Sequence, residues 1–126
     1  MSAYPDIPKA DGEFPVPMAW RIVFSQINDC FIRGDFTLNS GPNNVNQVPK
    51  SVAKNIENNI LSYGDDIISL NDKAWDTSIC RWQEGAWLVL VDLCTTSEEV
   101  SDLVMFSKVY ENGDDFNFEV ESVHVP

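Results

Sequence analysis

Carboxylates are the reactive groups this sequence holds in quantity: twenty Asp and Glu against eight Lys and Arg in 126 residues, with one histidine and three cysteines. A carboxylate does acid–base work when burial raises its pKa, binds a hard cation when several converge, and recognises cationic partners when it stays solvated. Asp92 is placed for the first use, since Leu88-Val89-Leu90-Val91 precede it and Leu93 follows. The other reading of Asp92 is a strand-end acid paired with a backbone group or with Arg81, because buried acids are normally partnered. The adjacent pairs Asp65-Asp66 and Asp114-Asp115 point to opposite sides of an extended chain and do not converge on one ion. Asp72 and Asp76 would share one face of a helical turn, and Asn112-Gly113-Asp114-Asp115 has the composition of a calcium loop without its spacing. No metal site and no cofactor are expected.

Nucleophilic catalysis has no visible machinery. A Ser–His–Asp or Cys–His set needs a histidine base, and the single one, His124, sits in a strand-like segment. Neither a phosphate-binding glycine loop nor a nucleophile elbow is present. Cys30, Cys80 and Cys94 lack the paired spacing of a zinc site or a disulfide framework, and read as small apolar residues of a reduced, cytosolic protein. Residues 1–17 have neither a basic start nor an apolar run, so no secretion leader is expected, and Ala86–Val91 is too short to cross a bilayer.

The charge is unevenly placed. Residues 1–54 balance five acids (Asp6, Asp11, Glu13, Asp29, Asp35) with five bases, whereas residues 55–126 hold fifteen acids and only Lys73, Arg81 and Lys108, which accounts for the whole net charge of −12. Such a field repels phosphates and anionic lipids and favours a basic protein partner over nucleic acid or membrane.

The elements that must position these groups are legible from periodicity. Residues 1–17, with Pro5, Pro8, Pro15 and Pro17, read as an extended arm ahead of a single α+β domain over residues 18–126. Trp20, Val23, Phe24, Ile27 and Phe31 form one helical stripe, closed by Gly34. A loop follows, with a short strand expected near Phe36–Leu38. A second helix starts at a Ser51 cap, presents Val52, Ala53, Ile56 and Ile60 on one face and stops at Gly64. Ile67–Leu70 reads as a short strand and Asp72–Trp75 as a helical turn. Ile79–Gln83 and Ala86–Cys94 flank the turn Glu84-Gly85 as a hairpin; Val100–Tyr110 and Phe116–Val125 flank Asn112-Gly113 as another. Phe116, Phe118 and Val120 alternate on one face, but Val123 and Val125 fall on the opposite parity, which predicts a bulge or a strand end. Trp87–Val91 is apolar on both parities and should be central. The fold expected is α+β: two helices on one face of a four-stranded antiparallel meander. The same order of elements also fits an open cone of the nuclear-transport-factor-2 type, in which Asp92 and Tyr63 would face a cavity and serve a small ligand or a reaction.

Ser62-Tyr63-Gly64-Asp65, Trp75-Asp76-Thr77-Ser78, Trp87-Leu88-Val89-Leu90-Val91-Asp92-Leu93, Ser101-Asp102-Leu103-Val104 and Val123-His124-Val125-Pro126 together resemble a small bacterial domain family without assigned enzymology. Proteins of this appearance resemble immunity proteins of contact-dependent growth-inhibition and polymorphic-toxin systems. That resemblance implies a non-enzymatic antitoxin that neutralises a cognate basic toxin domain, of the nuclease class, by occupying its surface. Joined to the acidic charge, it makes Asp65, Asp66, Asp72, Asp76, Glu84, Glu98, Glu99, Asp102, Glu111, Asp114 and Asp115 the expected contact groups. Trp75 and Trp82 would be exposed aromatic anchors among them. A small-ligand or enzymatic cone using Asp92, and a constitutive adaptor, are the competing expectations.

Overall fold

A computed structural model describes residues 7–126; residues 1–6 of the expected arm lie outside the described residues. Ten elements follow in order: β1 (Phe14–Pro15), α1 (Met18–Ile32), α2 (Lys50–Tyr63), β2 (Ile67–Ile68), α3 (Asp72–Thr77), β3 (Ile79–Gln83), β4 (Ala86–Asp92), β5 (Cys94–Thr95), β6 (Val104–Asn112) and β7 (Asp115–His124). The class is α+β, as expected. The main sheet has five antiparallel strands in the order β1-β3-β4-β6-β7, one more than the meander, because Phe14 and Pro15 pair with Cys80 and Ile79. A second, two-stranded sheet joins β2 to β5. The main sheet is not closed, and the space a cone would enclose is filled by Trp20, Phe24 and Phe118, each fully buried.

The helical stripe of α1 is the core of the molecule. Trp20 packs edge-on against Trp87 of β4 and against Phe116 and Phe118 of β7, at ring separations of 5.5, 5.3 and 6.1 Å. Phe24 adds a second edge contact to Phe118 at 5.4 Å. Val16, Ile27, Val89, Met105 and Val109 complete this layer. α2 lies along β7, and Asn59 Nδ2 donates to the Val123 carbonyl at 2.9 Å. Part of the asparagine load that weakens this helix locally is therefore spent on holding it to the sheet edge.

The slipped alternation in β7 is a bulge. Phe106 pairs with Ser122 and Ser107 with Val120, so Glu121 is the extra residue. That insertion returns Val123 to the buried face that Phe116, Phe118 and Val120 occupy. β4 is central, with Trp87, Val89 and Val91 buried towards the helices and Leu88 and Leu90 half-buried on the other face.

Local details differ from the sequence reading where a cap or strand lacks its partner. Ser51 lies inside the first turn of α2; Pro49 occupies the cap position and supplies no side-chain bond. Residues 36–38 form no strand. Asp35 instead gathers the loop, accepting from the Asn39 and Ser40 amides and from Ser40 Oγ. The Ser40 hydroxyl and amide, with that of Asn39, hold the Asp35 carboxyl below its usual range.

Two measurements check this packing. Trp20→Ala removes the ring shared by two strands and should cost about 3–5 kcal/mol in urea denaturation, with loss of the Trp87 near-ultraviolet signal. Cys30, Cys80 and Cys94 are buried free thiols, and burial pushes the Cys80 thiol up to about 11. Ellman's reagent at pH 8 should therefore find almost no thiol in the native protein and all three after denaturation.

Candidate functional site: a pinned acidic edge

Tyr63 ends α2, and Gly64 follows in the left-handed conformation (φ 83°) that turns the chain towards β2. The Tyr63 hydroxyl donates to Glu98 Oε1 at 2.5 Å and accepts from the Asp102 amide at 3.1 Å. A single phenol thus grips both halves of the 96–103 loop. Two neighbouring segments hold the same loop: Asp65 Oδ2 accepts from the Ser97 amide (3.0 Å), and the Asp66 carbonyl accepts from the Thr96 amide (3.0 Å). From the far side, Asn71 caps α3 by accepting from the Ala74 amide, while its Nδ2 donates to the Glu99 carbonyl at 2.8 Å. Lys73, on the first turn of α3, pairs with Glu99 at 2.6 Å.

These contacts bring seven expected contact acids to one edge: Asp65, Asp66, Asp72, Asp76, Glu98, Glu99 and Asp102. Lys73 is the cation among them, and its hydrogen bond to Glu99 with the nearby Asp76 charge raises its pKa. The Glu98 carboxylate raises the Tyr63 pKa, which keeps the phenol neutral and able to donate. The nearby Thr95 hydroxyl and the hydrogen bond from the Ser97 amide hold Asp65 below the usual carboxylate range. What the edge can do chemically is present fixed negative charge.

The remaining expected acids are elsewhere. Glu84 lies in the β3–β4 turn, and Glu111, Asp114 and Asp115 lie around the β6–β7 turn, at the opposite end of the sheet. The length of β4 puts about 20 Å between the two groups. At this second end the arm takes part. Lys9 pairs with Glu111 at 2.6 Å and stands over the rings of Trp82 and Trp87 at 5.1 and 5.8 Å, and Trp87 Nε1 donates to the Pro8 carbonyl at 2.9 Å.

The expected exposed aromatic patch does not form. Trp75 is buried, with the Arg21 guanidinium over its ring at 5.5 Å. Trp82 is half-buried against Trp87 at 4.6 Å, at the other end of the sheet from Trp75. Trp75 belongs to the core because α3 turns its apolar side inward with Ala74, which isolated flanking acids could not reveal. Asp92 is half-buried at the end of β4. Its partner is the Thr77 hydroxyl and not Arg81, while its amide donates to Ser78 Oγ at 2.9 Å. Asp92 and Tyr63 hydrogen-bond to different partners, Thr77 and Glu98. Sequence reading missed Tyr63 and Asn71 as organisers of the loop; for Asn71, the signal was an Asn standing just before a helical turn.

Among the described residues no group of three or more His, Cys, Asp and Glu could hold a metal ion, and no helix is long and apolar enough to cross a membrane.

Tyr63→Phe should raise amide exchange at Asp102 and loosen the 96–103 loop by about 1 kcal/mol, with the fold retained. The depressed Asp65 pKa gives a pH test. The stabilisation it carries is complete above the unfolded value of 3.8 and is lost as pH falls through the lower folded value. Protection of the Ser97 amide should fall in that acid range, and Asp65→Asn should abolish this pH dependence.

Searches of curated proteins and of solved structures each give no match. One family model, described as Domain of unknown function (DUF7668), matches residues 28–126, from the middle of α1 through the acidic edge to the last strand. The chain belongs to that family.

Proposed function

We propose that this protein is a stoichiometric inhibitor, an immunity protein that binds and neutralises a basic toxin domain of the nuclease class. The observation that carries the reading is the acidic edge: seven acids from three separate segments, gathered around one paired lysine by hydrogen bonds that fix the 96–103 loop and directly hold the Asp65 and Glu98 carboxylates. Unpaired surface acids repel one another, so nothing in folding alone rewards gathering them. A cationic surface does. A nuclease must present such a surface to bind phosphates, and fixed carboxylates occupy it as a mimic of substrate charge. Pre-formed hydrogen bonding of the loop reduces the ordering cost of association. The net charge of −12 adds long-range steering, which can bring association towards an order of 10⁸–10⁹ M⁻¹s⁻¹ at low salt.

The test is co-expression with the product of the adjacent reading frame, scored for rescue of growth and for co-purification. A complex should form, and its association rate should fall about tenfold or more as salt is raised from low to physiological strength. The double charge reversal Asp72→Lys, Asp102→Lys should slow association further while leaving the fold intact, since both side chains are exposed. A salt-independent rate would remove the electrostatic mechanism. Absence of binding and rescue would remove the inhibitor reading, and rescue without a complex would point to an enzymatic antidote.

A further inference from the structure

Residues near the C-terminal ends of α1 and α2 line, together with β2, a groove of about 500 Å³. Its floor is made of buried Phe31, Ile60 and Ile67. Its walls include Phe36, which stacks on Phe31 at 5.6 Å, and two conspicuously exposed aliphatic residues, Ile32 at 42% and Leu61 at 70%. Leu61 stands off the apolar stripe of α2, directly after Ile60, so the packing of the helix gives no reason for an apolar residue there. Glu57 and Asp66 form the rim.

We infer that this groove is the seat for an apolar anchor side chain presented by a basic protein partner. The chemistry of the occupant follows from the charges around the groove. Two helix C-termini carry partial negative charge of about −0.5 each. Neither α1 nor α2 has a basic residue in its last turn to complement it. Arg33, at the α1 cap, directs its Nη2 to Cys30 Sγ and Ser40 Oγ. Of the rim acids, Glu57 has a loose pair with Lys54 at 3.6 Å, and Asp66, itself one of the acids of the edge, is exposed. A partner with Lys or Arg around one large apolar residue satisfies all of these at once, and an apolar pocket with a polar rim is where interface energy concentrates. A second copy of the chain fits poorly, since each carries −12 and a self-complementary contact sets acidic rim against acidic rim. The size is within the range of pockets that take a small molecule or an anchoring side chain. The inference rests on the inhibitor reading for the partner's role as a toxin.

Two synthetic peptides of equal charge separate the anchor from the field: Lys-Arg-Leu-Phe-Arg-Lys and Lys-Arg-Gly-Ser-Arg-Lys, each titrated into labelled full-length protein and followed by methyl and amide NMR shifts. The Leu-Phe peptide should shift the Ile32, Leu61 and Ile67 methyls, whereas the Gly-Ser peptide should move only amides beside carboxylates. Leu61→Gln and Ile32→Gln keep the charge, lie at exposed positions and should weaken the Leu-Phe peptide about tenfold while leaving the Gly-Ser peptide unchanged. Equal affinity for both peptides with unmoved groove methyls would overturn the inference, as would indifference to both substitutions. Groove shifts on concentrating the protein alone, with a sedimenting dimer abolished by Leu61→Gln, would assign the groove to a second copy and overturn it too. Failure of co-expression rescue with this peptide selectivity intact removes the toxin and keeps the groove; rescue with a silent groove does the reverse.

Discussion

The edge-on packing of Trp20 against Trp87, Phe116 and Phe118 is the contact on which the molecule depends. It fixes α1 across the central strand and the last strand together, and so determines which face of the sheet is covered. Phe24, Ile27 and Phe31 continue the same stripe towards the C-terminal end of α1. From there the consequences reach outward. The buried Asn28 donates through Nδ2 to the Ile68 carbonyl at 3.0 Å, which holds β2 to the helix. β2 in turn pairs with β5, and β5 leads into the loop that carries Glu98, Glu99 and Asp102. The acidic edge is therefore anchored, through a short chain of contacts, to the aromatic core.

At that edge the balance of forces is different. Carboxylates brought close without cations repel, and what opposes the repulsion is a set of directed hydrogen bonds, with Tyr63 at the centre. The amides of Thr96, Ser97 and Asp102 are satisfied by the Asp66 carbonyl, the Asp65 carboxylate and the phenol, and those of Glu98 and Ser101 by the Thr95 and Leu93 carbonyls, so the loop keeps its form without burying much apolar surface. The proposed partner would relieve the repulsion directly. The opposite end of the sheet is organised by another device, the Pro8–Lys9 stretch, which covers Trp82 and Trp87 and pairs Lys9 with Glu111. The two ends thus differ in charge: seven acids share Lys73 at one, and four share Lys9 at the other.

The groove between the ends of α1 and α2 completes this arrangement. Apolar side chains left exposed beside acids cost little in a monomer, and here Ile32 and Leu61 line one groove with the buried Phe31, Ile60 and Ile67. Their placement next to the edge sets fixed charge and exposed apolar surface side by side, through Asp66, which belongs to both.

What the sequence determined by itself follows from short-range physics. The 3.6-residue stripe of α1, the stop at Gly64, the two hairpin turns, the central position of Trp87–Val91 and the bulge signalled by the parity slip at Val123 are each written within ten or so neighbouring residues. The charge imbalance is a sum and needs no structure at all. Only the tertiary structure decided which acids meet. Tyr63 reaches Glu98 across 35 positions and Asp102 across 39, and no local pattern encodes a hydrogen bond of that span. The same holds for the exchange of roles among the tryptophans. Acidic neighbours in sequence suggested exposure for Trp75, but burial depends on which way a one-and-a-half-turn helix faces, and that is set by β1, β4 and Arg21 arriving from distant parts of the chain.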